Sequence, residues 1–258
     1  MRHLLTAALC LLTLPATAGT RAVVQDHALP RVAGFAQAAQ ALDAAAAQDC
    51  RADTLRPAYQ ATFDAWMGLS HLGLGPLEED GRALTIAFWP DSRGLVGRTV
   101  QRLRAEEDAA VDRPERFAEV SIAGRGLFAL ERLLYEPDDD GNGEYTCRLA
   151  QAIAGDLSRL AQEIETGWRT DFADQLLNAG AEGNSRFLTA REASQALYTA
   201  LVTGLEFSAD QRLGRPMGRF DAPRPQVAEA RRSGRPLRNV ILSLEALRDL
   251  ALALADQP

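Results

Sequence analysis

The residue with the strongest claim to chemistry in this chain is Glu131, in the stretch Ser121-Ile-Ala-Gly-Arg-Gly-Leu-Phe-Ala-Leu-Glu-Arg-Leu-Leu-Tyr-Glu136. The spacing predicts a helix over 121–136 with two unlike faces. Ala123, Leu127, Leu130 and Leu134 form an ordinary core stripe, and Gly124, Phe128, Glu131 and Tyr135 form a second, about 100° away. Glycine inside a helix costs ~1 kcal/mol relative to alanine, so Gly124 and Gly126 call for a compensating close approach, by another backbone or by a ligand. A carboxylate on such a face has two readings: paired to an arginine in tight helix packing, or turned toward a ligand.

Other groups carry weaker signals. Trp89-Pro90-Asp91-Ser92-Arg93-Gly94 reads as a turn in which Asp91 or Ser92 caps the following helix and Arg93 is an ion-pair partner or a surface charge. His71 ends a helix, where a protonated imidazole would suit the dipole, and His27 falls in an N-terminal tail. Arg231-Arg232-Ser233 reads as a solvated helix end that could also bind an anion. Asp138-x-Asp140-x-Asn142-Gly143 matches the first half of a calcium loop, but Leu149 stands where a bidentate Glu is required, so a polar inter-helix turn is the default. A metallopeptidase needs several imidazole or carboxylate ligands and usually a Glu base. Neither His27 nor His71 belongs to a His-x-x-Glu or His-Glu-x-x-His pattern.

The elements that must position these groups are helical. The chain of 258 residues is rich in Ala and Leu, and 6% of it is aromatic. Every basic residue is arginine, and the formal charge of −7 argues against a nucleic-acid partner, which needs a basic face. Residues 1–18 read as an export leader: Arg2 and His3, an apolar run from Leu4 to Leu14, and Ala16-Thr17-Ala18 before the cleavage point. That run is too short for a permanent membrane span, and the expected compartment is a bacterial periplasm. The two remaining cysteines, Cys50 and Cys147, are then expected to form a disulfide closing a loop of roughly 97 residues, worth ~4 kcal/mol.

Helices are expected over Arg31–Gln48, then from Asp53 to about His71 with Tyr59, Phe63, Trp66 and Met67 on one side. Further helices are expected over Ser92–Ala105, from Pro114 into the Glu131 stretch, and over Cys147–Asn178. Thr189-Ala-Arg-Glu192 is a capping box opening the next helix. A short helical piece at Val227–Ser233 precedes a last helix, Pro236–Ala255, with Val240, Leu244, Leu247 and Leu250 or Ala251 facing inward. Ala83–Trp89 alone resembles an extended segment. Such a pattern gives an all-α protein of two packed antiparallel helical bundles, divided near residue 140 into 19–140 and 141–258.

Gly126-Leu127-Phe128-Ala129-Leu130-Glu131 resembles the Gly-x-His-x-x-Glu signature of the imelysin family, with Phe128 where the family has histidine. The likeness extends in order through Tyr59–Trp66, Gly75-Pro76-Leu77, Phe88-Trp89-Pro90-Asp91-x-Arg93-Gly94, Cys147–Ile153, Leu205–Gly218 and Glu229–Leu237. The resemblance implies two pseudo-symmetric helical halves with a site between them, export, and a link to iron acquisition. It raises Asp91 and Arg93 to pocket residues beside Glu131, with Gly126 admitting close approach and Trp89 and Phe128 as walls. Without the histidine, a metal would need Glu131, Asp91 and His71 brought together by folding. The resulting expectation is a periplasmic binding or accessory protein for a small ligand, iron or another divalent metal, serving an iron-uptake system. The rivals are a divergent metal-dependent peptidase and a structural or interaction module.

Overall fold

The computed structural model describes residues 18–136 and 143–255. The expected leader and the acidic loop at 137–142, with its calcium-like pattern and the expected division between the halves, lie outside the described residues. Those described are all-α, with a single isolated bridge between Arg219 and Ala222. Among the described residues, nine helices carry the fold. α1 is one long rod, Ala18–Ala22, a π-helical stretch Val23–Ala28, then Leu29–Gln48; α2 is Ala52–Leu69 and α3 Arg82–Ile86. α4 is Leu95–Glu106, α5 Pro114–Phe117 and α6 Gly126–Tyr135. α7 runs Gly143–Gly167, through a π-helical stretch Trp168–Phe172, into Ala173–Leu177. α8 runs Ala190–Phe207, through a π-helical stretch Ser208–Gly214, into Arg215–Met217, and α9 is Pro236–Ala255.

Most of the apolar stripes read from the sequence are buried. Val32, Phe35, Ala39 and Leu42 of α1 pack with Tyr59, Phe63 and Met67 of α2 and with Leu149, Ile153, Leu157 and Leu160 of α7, in one contiguous core. Cys50, just after α1, is joined to Cys147 on α7, with Cα atoms 5.3 Å apart. The capping box at α8 forms: Thr189 Oγ1 accepts from the Glu192 amide at 3.2 Å, and Glu192 reaches back to the Leu188 amide at 2.7 Å.

Several expectations are corrected by local chemistry. Ala83–Trp89 is not extended: Arg82 is anchored on Pro76 O and Glu79 at 3.0 Å, which starts α3 after the left-handed Gly81, and Ala87–Trp89 is a turn closed by the Trp89 amide on Ala87 O at 2.9 Å. Asp53 does not cap α2 but pairs with Arg56 at 2.6 Å. α4 begins at Leu95 because Asp91 reaches across the turn, its two oxygens taking the Leu95 and Val96 amides at 2.8 and 2.9 Å while Gly94 (φ +66°) reverses the chain. The helix expected from Pro114 through Glu136 breaks into α5, a 3-10 turn at Ile122–Gly124, and α6. Val227–Ser233 is a tight turn in which Ala230 has φ +46°, and Leu244 is 42% exposed on the outer face of α9.

Candidate functional site

α6 is set in place from its first residue. Gly126 has φ +71°, and a Cβ there would lie 2.1 Å from the Thr85 carbonyl oxygen and 2.5 Å from that of Ile86. The close approach expected at Gly126 is therefore made by the α3 backbone, and Gly126 does not line the cavity beside Glu131. The neighbouring Arg125 is 7% exposed and fixes the helix start with a two-pronged ion pair to Asp156 on α7, at 2.8 and 2.9 Å, and a bond to Ala118 O at 2.6 Å.

One helical turn on, Glu131 is 1% exposed and turned inward. Its Oε1 accepts from both the amide and the hydroxyl of Ser233, at 3.0 and 2.7 Å. Burial pushes its carboxyl above the usual range, against the opposing pull of Ser233 and of Arg232 and Arg132. The hydroxyl of Tyr59 is buried beside Ser233, and burial together with the Glu131 charge raises that phenol well above its ordinary value, against the opposing pull of Ser233 and Arg235. Ser233 belongs to Glu229–Arg235, the segment that locks the far side of the site. Arg232 pairs with Glu136, Arg235 reaches Asp64 at 2.5 Å and stacks on Phe63, and Glu229 pairs with Arg212 at 2.9 Å.

Between α6 and this segment lies a cavity of about 380 Å³. It brings together Glu131, Asp91, Trp89 and Phe128 with Arg231 and Arg232, all singled out from the sequence. The peptide bond between Trp89 and Pro90 is cis. Phe128 meets Phe63 edge-on at 5.7 Å, occupying the histidine position with an apolar ring. Arg93 is exposed and does not line this cavity. Five arginines do: Arg132, Arg215, Arg224, Arg231 and Arg232, facing the two acids Asp91 and Glu131. Arg132 lies across Gly97, where a Cβ would come within 2.7 Å of its guanidinium carbon, and is held by Glu136 at 2.8 Å. Arg215, Arg224 and Arg231 have no acidic partner among the described residues.

His71 is elsewhere. Its ring lines a different cavity and meets His27, Nε2 to Nε2, at 2.7 Å. Both rings are buried, and His27 belongs to the π-helical stretch of α1 instead of a loose tail. Burial holds His27 down to about 3 and His71 well below the normal imidazole range, so both are neutral at neutral pH, and His71 is not the helix-end cation expected. Glu131, Asp91 and His71 are thus not assembled as a ligand set. Among the described residues no group of three His, Cys, Asp or Glu side chains converges as a metal site. The Glu131 cavity suits a bare metal ion poorly: both Asp91 oxygens accept from helix amides, Glu131 Oε1 accepts twice from Ser233, phenylalanine replaces the imidazole, and Glu131 Oε2 alone of the four carboxylate oxygens is without a hydrogen bond among the described residues.

Arg132, Arg215 and Arg224 were missed from the sequence as site residues, whereas Arg231, Arg232 and Ser233 were expected as a solvated helix end with anion binding as the second reading. The signal for the latter group was the density of charge in Glu229–Arg235. No curated protein matches the chain. The solved structure of an imelysin-like protein from Psychrobacter arcticum 273-4 is similar in fold, with a TM-score of 0.74 and 21% identity over 93% of this chain and 78% of that one. The sequence profile of the imelysin family matches residues 28–257, and the chain belongs to that family.

Proposed function

We propose that the protein is an exported, periplasmic binding or accessory component that takes an anionic small ligand at the Glu131 cavity, and that a metal such as iron reaches it as an anionic chelate. The observation that carries this reading is the excess of arginine at a site where three of the four carboxylate oxygens already accept hydrogen bonds. On a chain of net charge −7 this is a local reversal of sign, which draws in anions and repels free cations. Arg224 and Arg231 are exposed at the mouth, and Arg132 and Arg232 are held deeper by Glu136. Planar guanidinium groups suit carboxylate-bearing ligands. Family membership is compatible with a metal-related role, and the disulfide fits an oxidising compartment. No described helix is long and apolar enough to cross a membrane.

Calorimetric titration with citrate, ferric citrate and iron alone tests the proposal. The expected result is binding of the two anions, weakened tenfold or more in Arg224→Ser/Arg231→Ser, with none of the bare ion. Tight binding of the free metal, indifferent to those arginines, overturns it. Chelator-sensitive peptide hydrolysis lost in Glu131→Ala would establish the rival peptidase.

A further inference from the structure

On the other side of Trp89 the molecule holds a second, larger cavity of about 590 Å³, within the range of small-molecule sites. Trp66, Trp89, Phe172, Phe187 and Phe207 give it aromatic walls. Its polar end is built from Arg212 and Glu229, 7% and 4% exposed. Arg212 Nε donates to Glu229 Oε2 at 2.9 Å, and its Nη1 donates to Ser208 and Ser243 at 3.4 and 3.1 Å. Glu229 Oε2 also accepts from Asn239 at 3.0 Å. Arg212 Nη2 and Glu229 Oε1 make no hydrogen bond among the described residues, and neither is a sealed, unsatisfied atom. A donor and an acceptor therefore stand together at the end of an apolar chamber.

The backbone supports the same site. α7 and α8 each widen into a π-helical stretch, and these stretches carry Phe172 and Arg212 to the cavity. The third such stretch, in α1, carries His27 against His71, whose ring lines the wall. Wide turns inside α-helices are rare and recur at functional sites.

We propose that this cavity binds an uncharged aromatic small molecule bearing an amide-type group. Its rings lie among the tryptophan and phenylalanine walls, its carbonyl accepts from Arg212 Nη2, and its N–H donates to Glu229 Oε1. The arginine–glutamate pair is charge-balanced, so an anion would meet Glu229 and a cation would meet Arg212. A neutral group that both accepts and donates satisfies the two together.

The test uses N-phenyl-1-naphthylamine as a fluorescent probe, excited by energy transfer from Trp66 and Trp89, with 2-naphthamide, 2-naphthoate and 2-methylnaphthalene as competitors. Probe uptake is expected, with the amide displacing it at least tenfold better than the acid or the hydrocarbon. Thr203→Trp, an exposed position at the mouth, is expected to abolish uptake with thermal unfolding unchanged. Arg212→Met/Glu229→Met is expected to retain uptake and lose the amide preference. Should that double variant fail to fold, the competition series on the natural protein decides alone. No probe uptake, uptake indifferent to Thr203→Trp, equal competitors or preference for the acid each overturn the proposal.

Discussion

Glu131 owes its position to two hydrogen bonds from one residue a hundred positions later in the chain. The Ser233 amide and hydroxyl both point at Oε1, at 3.0 and 2.7 Å, and they offset part of the cost of keeping a carboxylate in a place where only 1% of the residue is exposed. Removing the hydroxyl with Ser233→Ala leaves a buried acceptor short of a charge-assisted bond, a loss of about 1.5–3 kcal/mol by urea unfolding at neutral pH. The Glu131 carboxyl rises further in the same variant. Since a raised carboxyl favours the folded state only while protonated, the deficit should shrink as pH falls through the carboxylate range. Glu131→Gln/Ser233→Ala, with no charge to strand, should cost less than Ser233→Ala alone. At this scale the sequence was partly legible. Glu131, Phe128, Asp91 and Trp89 carry side chains whose placement follows from helix spacing and a turn, and all four reach one cavity. Ser233 and Arg224 come from irregular backbone, where no periodicity says which way a side chain points, and Arg215 follows a π-helical stretch that shifts the face it occupies. His27 and His71 are 44 residues apart, and their pairing has no local signature.

At the scale of elements, helix existence was legible and helix ends were not. Apolar periodicity marks α1, α2, α7, α8 and α9 because each buries a continuous stripe. The stretch from Pro114 to Glu136 carried the same periodicity and still breaks, since Gly126 must take φ +71° to let the α3 carbonyls pass. The π-helical stretches were invisible for a related reason: one extra residue in a turn changes which face a side chain occupies without changing composition. The start of α6 then depends on a tertiary device, the buried Arg125–Asp156 pair, which fixes the signature helix against α7. Breaking it from one side strands a charge, so Asp156→Ala is expected to cost about 3–5 kcal/mol in denaturant unfolding. Arg125→Met/Asp156→Leu should recover much of that loss in stability. Anion titration of the double variant separates the two roles, because a helix start held only by apolar contact would still weaken binding at Glu131.

For the molecule as a whole, the disulfide was readable from a count of cysteines and an expected leader, but which helices pack together was not. α1 and α7 lie together, so the Cys50–Cys147 link joins early chain to late chain across 97 positions. Cys50→Ser/Cys147→Ser is expected to lower stability by ~4 kcal/mol, read from the urea midpoint. A different global property follows from the His27–His71 pair. Both imidazoles are held neutral by burial, with Arg31 and Arg212 adding to the effect and Asp249 opposing it at His71. In the unfolded chain they titrate near 6.5, so below that pH the unfolded state takes up protons that the folded state refuses. The contribution is fully present above about pH 6.5 and is lost as pH falls toward the depressed folded values. Unfolding free energy should therefore drop by about 2–3 kcal/mol between pH 7.5 and 5.5, before most carboxylates titrate. His27→Gln/His71→Gln cannot take up those protons and should show a nearly flat profile across the same window. An equal drop in the natural protein and the double variant would place the acid sensitivity outside this pair.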